Sequence, residues 1–573
     1  MKRTNYIAVI FTALGLVSGS CEKVFDKENL NAVNPGDVWS SEALAEAYIN
    51  NVYSLFMPGM PFNGGASDEA PNSDGLTMQS ILKGAASVNT VNYWPYANIR
   101  KINILLQEIE TSPLDGEFLG RLKGQALFFR AWAYFEMTKL YGGVPLVLHA
   151  QSLDEEELSV PRSNAAECFA QIARDLDEAA GLLPEEWTGS DYGRIDKGTA
   201  MAFKGRVLLF FASPQFNPAG DMSRWTAAYD ANKAAKEFLE SKGKGLFQGD
   251  YEDIWYQEGN KEVIMVNQYF NPGHTHNQNL LRPIWATRDN VGFDRPSLKL
   301  VNAFPMTDGS AFDPSAGYGQ FYKDRDNRFY ANIAYNGTTR YNIKELVNMQ
   351  SHLWMYDLPT GDHSELILYG GHGNNYTGFY RLKAVDKDID ASAIDQADVD
   401  WIEIRFTEVL MNYGEAANET GKTGEAMQVL KDVRERAGIA AGPSGNYGLT
   451  ASSQSDIREA YINERFVEFA FENKRWDDLR RWRRFDILNE QVVHKGLLFT
   501  LKAGETPPKN YDNIDNVWNK FTWEVFNVES AAGEVFNIPD SYYFFGIPES
   551  YIQKDVKLEQ TVGWDGGTFD PLQ

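Results

Sequence analysis

Few of the residue combinations that could do chemistry in this chain stand at the spacing their chemistry needs. Gly421-Lys422-Thr423 has the closing residues of a phosphate-cradling loop, in which backbone N–H groups, a lysine and a hydroxyl surround phosphate oxygens. The place of the leading glycine is taken by Ala416, and the triplet joins two helical patterns instead of following a strand, so it reads as a helix–helix turn. His274 and His276 lie in a polar stretch and would hold a metal only with ligands brought from elsewhere. Asp68, Glu69, Asn72 and Asp74 gather oxygen donors without the spacing of a twelve-residue calcium loop, and read as a solvated loop. A Gly-x-Ser-x-Gly elbow is absent, and Cys168, inside an apolar helical stripe, reads as a small buried hydrophobe and not as a nucleophile. Carboxylates are plentiful, but a glycosidase pair has no local signature, and nothing positive supports one. The expectation is a protein that is not an enzyme and needs no metal or cofactor.

A different chemistry is better represented: flat aromatic rings beside polar side chains. Trp94 opens a helical pattern that carries Asn98 and Arg100. Trp285 is followed by Arg288 and Asn290, Trp354 and Tyr356 lie beside Asp357, and Tyr376, Tyr380 and Arg381 follow a glycine-rich turn. An exposed indole or phenol can stack on the apolar face of a sugar ring while Asn, Asp and Arg hydrogen-bond the hydroxyls at its edge. Core packing is the competing reading for any single aromatic. Trp94 and Trp285 lead because their neighbours are polar. The expected ligand-binding residues are Trp94, Asn98, Trp285, Arg288 and Tyr380.

Helical patterns must position these residues. Leu122, Ala126, Phe129, Ala133, Met137 and Leu140 recur at steps of three or four, and Leu127, Phe128, Ala131, Trp132 and Phe135 fill the other side, so this helix is apolar nearly all round and is packed between neighbours. Gly142-Gly143 and Pro145 end it. Asn164 and Glu167 form a capping box for a helix to Leu183, and further helices are expected over Glu42–Phe56, Tyr96–Ile109, Lys197–Phe211 and Arg224–Leu239. Between about residues 243 and 400 the periodicity lapses and Gly, Asn, Pro, Tyr and Trp crowd together. Alternation over Glu262–Tyr269 predicts a strand there. Helices resume over Trp401–Ala417, Glu425–Arg436 and Asp456–Phe471, the last capped by Asp456 and Glu459. The fold class is mainly α: a tetratricopeptide-like scaffold of helical hairpins with a long loop-rich segment carrying short strands. The organisation reads as a signal peptide over 1–20, a helical scaffold over 21–242, a loop-rich ligand-binding excursion over 243–400, and a helical and irregular segment over 401–573 that completes the same domain.

Composition removes other classes. The 573 residues hold 54 basic and 79 acidic side chains, a net charge of -25, and the one dense basic cluster, Arg475 to Arg484, has Asp477 and Asp478 within it and Asp486 just beyond. No phosphate backbone is drawn to such a field, so no nucleic-acid partner is expected. An apolar fraction of 43% with 13% aromatics excludes disorder, and two cysteines exclude a disulfide framework. At the start, Lys2 and Arg3, the apolar run Ile7–Val17 and Ser18-Gly19-Ser20-Cys21 form a signal too short to span a bilayer, closed by a cysteine. Ordinary secretion with a chance cysteine is one reading. The sharper one is a bacterial lipoprotein in which Cys21 carries the lipid anchor, palmitate among its chains, although the usual leucine ahead of the cysteine is missing.

The stretch Phe128-Phe129-Arg130-Ala131-Trp132-Ala133-Tyr134-Phe135 through Leu140-Tyr141-Gly142-Gly143-Val144-Pro145-Leu146 resembles the signature of the SusD/RagB family, nutrient-binding surface lipoproteins of Bacteroidetes. Pro161-Arg162, Gly193-Arg194 with Lys197, Glu464-Arg465 through Trp476-Asp477-Asp478-Leu479-Arg480-Arg481-Trp482, and Ile547-Pro548-Glu549 with Gln560 to Trp564 are similar to further family blocks in the same order. The resemblance implies a cell outer membrane lipoprotein facing the outside, with Glu22 and Asp26 similar to the acidic export signal. It implies a SusC-like TonB-dependent transporter as partner and an oligosaccharide as ligand, a peptide being the alternative and a surface glycoside hydrolase a third reading. It also places the family's ligand-stacking tryptophan at Trp94, with Asn98 nearby, whereas Trp285, Arg288 and Tyr380 rest on the chemical argument alone.

Overall fold

The computed structural model describes residues 35–61, 67–71, 77–278, 294–338, 352–362, 377–386, 389, 393, 395–509, 512–528 and 535–573. Cys21, the 1–20 segment, Trp285 and Arg288 lie outside the described residues. Among those described the chain is mainly helical with a few short strands. Its long helices are α1 (Glu42–Phe56), α2 (Tyr96–Glu108), α3 (Gly116–Tyr141), α4 (Ala165–Leu182), α5 (Lys197–Ala212), α6 (Met222–Ser241), α7 (Phe406–Glu419), α8 (Thr423–Arg436), α9 (Gln454–Glu468) and α10 (Arg475–Arg481).

The helical array follows from small residues at crossings and side-chain caps at starts. Asp115 accepts from the backbone N–H groups of Glu117 and Phe118 to open α3, and Asn164 and Glu167 form the expected capping box of α4. Gly205 of α5 lies so close to α6 that a Cβ there would stand 2.3 Å from Asn232 Oδ1. The helices pack in succession from α3 to α6, and α7 then packs on α6, so the array runs on across the excursion. One large core follows from this, drawing on α1 to α6 and on α7 to α10 together. Gly142 and Gly143 do more than stop α3. A Cβ on Gly142 would meet Pro571 at 2.2 Å and one on Gly143 would meet the Ser163 carbonyl at 2.1 Å. Arg162 donates to the carbonyls of Tyr141, Gly143 and Glu559 and lies 3.8 Å over the Phe569 ring, which clamps the C-terminus on the end of α3.

Two expected boundaries are corrected. Trp401–Arg405 is not the first turn of a helix but strand β4, paired antiparallel with β1 (Val263–Asn267), and α7 begins at Phe406. The alternation Trp-Ile-Glu-Ile-Arg is that of a strand. The capping box of α9 is made by Ser453 and Asp456, three residues earlier than the sequence spacing gave it to Asp456 and Glu459. Short β2 (Ile333–Ala334) pairs with β3 (Tyr380–Arg381), and the C-terminal segment holds an unforeseen hairpin, β5 (Lys495–Leu501) with β6 (Phe521–Asn527).

The excursion is fastened to the scaffold by buried charge. Arg328 pairs with Asp326 at 2.7 Å, Glu464 at 2.7 Å and Glu468 at 3.0 Å. Arg405 pairs with Glu262 at 3.1 Å, Glu468 at 2.7 Å and Glu472 at 2.9 Å, and Lys383 with Glu472 at 2.8 Å. Arg434 bonds Glu464, and Arg436 makes close pairs with Glu262 and Glu468. Burial alone would raise the Glu468 carboxyl, but Arg436, Arg405 and Arg328 hold it far below the usual carboxylate range. Three arginines of the sequence's basic cluster are likewise spent inside: Arg475 is bidentate on Asp68, Arg481 bonds Glu415 and Asp478, and Arg480 donates to backbone carbonyls, while Arg483 and Arg484 pair at the surface.

Candidate ligand-binding site

Trp94 sits where three distant parts of the chain meet. Pro95 precedes α2 and turns the chain, while the Tyr93 N–H donates to the Tyr141 hydroxyl at 3.0 Å and that hydroxyl donates to the Val91 carbonyl at 3.3 Å. Tyr96 anchors the other side by donating to the Pro145 carbonyl at 2.7 Å. Between these fixed points the Trp94 ring lies 5.0 Å from Tyr96 and 5.5 Å, edge-on, from Tyr141. It stacks on Tyr551 at 5.4 Å and 24°. Tyr551 is brought from near the C-terminus and held by its bond to Asn92 Oδ1 at 3.2 Å, next to the Glu549 N–H on Asn89 Oδ1 at 3.1 Å.

Trp94 is therefore half-buried, not the freely exposed platform read from its polar neighbours. Among the described residues neither its indole N–H nor the half-buried Asn98 carboxamide has a hydrogen-bond partner, so both are open to a ligand. The sequence could not supply Tyr551, because 457 residues separate it from Trp94.

A cavity of about 280 Å³ is lined by Tyr93, Trp132, Phe135, Lys139, Lys474 and Asp477 among others, but not by Trp94, Asn98 or Tyr551. Its charges are internally balanced: Lys139 pairs with Asp477 at 2.6 Å and Lys474 with Glu408 at 2.9 Å. Burial would lower the Lys139 ammonium, yet Asp477 and Glu136 raise it to about 12. The Glu136 carboxyl is pushed up by burial, with Lys139 opposing. Such a wall offers paired hydrogen-bonding groups and no unpaired charge.

Other sequence expectations fare differently. Tyr380 is corrected: on β3 it is 1% exposed with the Arg295 guanidinium 5.1 Å from its ring centre, and burial raises its phenol, so as placed it offers no face to a sugar. Trp354 and Tyr356 are also core, packed around Phe521. Asp68 and Glu69 are not a solvated loop but fully buried. Burial would raise the Asp68 carboxyl, but Arg475 and Lys299 hold it far below its usual range. Burial and then the Asp68 charge push Glu69 well above its own. Asn72 and Asp74 lie outside the described residues. His274 stacks on Tyr269 at 4.3 Å with Nδ1 2.7 Å from the Gln268 carbonyl, and no metal-like group of three or more His, Cys, Asp or Glu occurs among the described residues. Cys168 is buried, its thiol pushed up to about 11 by burial, and Gly421-Lys422-Thr423 is a helix–helix turn between α7 and α8.

The model of the SusD family matches residues 252–564, more than half of the chain. The chain belongs to the SusD family. A second family model, described as starch-binding associating with outer membrane, matches residues 30–209. Among curated relatives of this SusD-family protein, SusD-like protein P38 of Formosa agariphila is 22% identical over 84% of this chain and 92% of its own, and a SusD-like protein of Bacteroides ovatus is 24% identical over 68% and 64%. Among solved structures, a SusD-like protein of Bacteroides fragilis superposes with a TM-score of 0.72 and 26% identity over 93% of this chain and 99% of that one. A laminarin-binding SusD-like protein superposes with a TM-score of 0.59 and 18% identity over 92% and 100%. No helix among the described residues is long and apolar enough to cross a membrane.

Proposed function

We propose that this SusD-family protein binds oligosaccharide at the outer face of the outer membrane, tethered through lipidated Cys21, and delivers it unaltered to a SusC-like TonB-dependent transporter. The observation that carries the reading is the Trp94 cluster: a half-buried indole steadied by three tyrosines, with its N–H and the Asn98 carboxamide both open. Indole faces and neutral amides complement the apolar faces and hydroxyl edges of pyranoses. The starch-binding description of the second family model, its association with the outer membrane, and the laminarin-binding neighbour support the ligand class and the location. Peptide remains the alternative occupant of the same architecture.

The test is calorimetric titration of the mature protein against neutral glycans, sulfated glycans and peptides, repeated with Trp94→Ala and Asn98→Ala. Trp94→Ala should weaken glycan binding by about 1–3 kcal/mol, roughly 5- to 150-fold. It should also cost stability, about 1–3 kcal/mol from the lost ring contacts. Asn98→Ala touches none of that packing and should leave stability within about 0.5 kcal/mol while weakening binding. Glycan affinity unchanged in both variants would remove this cluster from the site. Shorter sugar products that track with the purified protein would replace the binding reading with an enzymatic one.

A further inference from the structure

Trp523 is the one tryptophan among the described residues that is largely open to solvent, at 41% exposure. It lies on β6, opposite Phe499 of β5. Phe521, Trp523 and Val525 share one face of that strand, yet only Phe521 is in the core, while Val525 is also 41% exposed. The apolar face thus runs out of the protein, which folding stability does not require. Beneath it the chain turns at Gly317-Tyr318-Gly319. A Cβ on Gly317, whose φ is +87°, would stand 3.2 Å from Trp523 Cζ2. One on Gly319 would stand 3.1 Å from Trp518 Cζ3 and 3.4 Å from Trp523 Cη2, so two indole rims converge on the place where a side chain is missing. Trp518, in the short turn ahead of β6, is half-buried.

We infer that Trp518 and Trp523 form a second sugar-binding platform for a neutral oligosaccharide, separate from the Trp94 cluster. The inference rests on the sugar-binding reading above and extends it to a surface built on a different core, that of the excursion and hairpin instead of the helical array. The occupant follows from the rim. Neither indole N–H has a partner among the described residues, nor do the exposed carboxamides of Gln320 and Asn519, which follow Gly319 and Trp518 in sequence. Of the nearby charges, Lys323 pairs with Asp515 at 3.2 Å, while the Lys502 and Lys520 ammoniums keep their charge and donate to the Asn519 and Thr506 carbonyls at 2.6 and 3.0 Å, and Glu524 is on the opposite face of the strand from Trp523. On the Trp523 face stand two indoles with neutral carboxamides beside them, the set that matches pyranose faces and hydroxyls. Sequence patterning hid this site, because Trp523 occupies an inward-facing register in a strand whose first residue is core.

The probes are soluble starch, laminarin, xylan and mannan, read by retardation of the mature protein in glycan-containing native gels and by calorimetry on whichever glycan retards it. Trp523→Ala should keep the wild-type melting profile, Trp518→Ala and the double variant should melt lower because the Trp518 ring is half-buried, and affinities are compared per folded molecule at a temperature where all are folded. The double variant should bind the retarding glycan about 5- to 100-fold more weakly, and combining it with Trp94→Ala should weaken binding beyond either change alone. Trp523→Phe, which keeps a ring face, should retain more affinity than Trp523→Ala. Wild-type affinity in the double variant would overturn the platform and leave the Trp94 reading standing. Loss of transporter co-purification with glycan affinity intact would overturn it in favour of a protein contact. A wild type that none of the four glycans retards would overturn the sugar reading and this inference together.

Discussion

Glu468→Gln is the most exacting test of how the excursion is held. Glu468 faces Arg328, Arg405 and Arg436 inside a set of five cations, with Lys383 and Arg434, balanced by Asp326, Glu262, Glu464, Glu468 and Glu472. The carboxylate and its Arg328 and Arg405 partners are at most 1% exposed, so a neutral isostere leaves one positive charge without water or counter-charge and turns an amide N–H₂ toward a guanidinium. Removing one partner from a buried pair costs about 3–5 kcal/mol. Urea unfolding followed by near-ultraviolet circular dichroism should show a loss of that size. Glu157→Gln, which breaks the surface pair with Lys557, should leave the midpoint where it is. Arg436→Met added to Glu468→Gln restores the charge balance and should recover part of the loss. The pH dependence has a definite sign. The folded Glu468 carboxyl titrates below its ordinary value of 4.5, so its contribution is complete above about pH 4.5 and is lost as the pH falls below it. The variant should therefore lose less stability than wild type on acidification. A Glu468→Gln protein within about 1 kcal/mol of wild type, with an unchanged acid limb, would refute the charge-balance argument.

Cys21→Ser should abolish lipidation and release the protein from membranes, and recovery of unlabelled wild type from cells fed a radioactive fatty acid would count against the anchor. Cys168, buried with its thiol pushed up to about 11, should resist an aromatic disulfide reagent in the native protein and react once after unfolding; fast native reaction at neutral pH would contradict its burial. Trp132, 6% exposed and stacked on Phe203 at 4.7 Å, should cost about 3–5 kcal/mol of stability as Trp132→Ala, measured by thermal melting, without altering affinity per folded molecule.

The helical array was legible because its causes are local. Three- and four-residue periodicity, the Asn164–Glu167 box and the Gly142-Gly143 stop act over distances shorter than one helix, so α1 to α6 and α8 fall within a few residues of their sequence patterns. Where two local patterns competed, the structure chose: Trp401–Arg405 had both helical and alternating character, and pairing with Val263–Asn267 made it a strand. The helical contexts of Cys168 and of Gly421-Lys422-Thr423 were readable for the same reason.

Exposure was not legible. Tyr380 followed a glycine-rich, polar stretch and is nonetheless core, Trp94 shares its ring contacts with Tyr551 from the far end of the chain, and Trp523, in an inward-looking register, is open. Residue type and spacing determined that this chain would be a mainly helical scaffold rich in aromatic rings. Which rings face solvent, and which carboxylates neutralise Arg328, Arg405 and Arg475, only the tertiary structure decided. Burial and charge pairing depend on contacts between segments up to several hundred residues apart, and no local pattern encodes them.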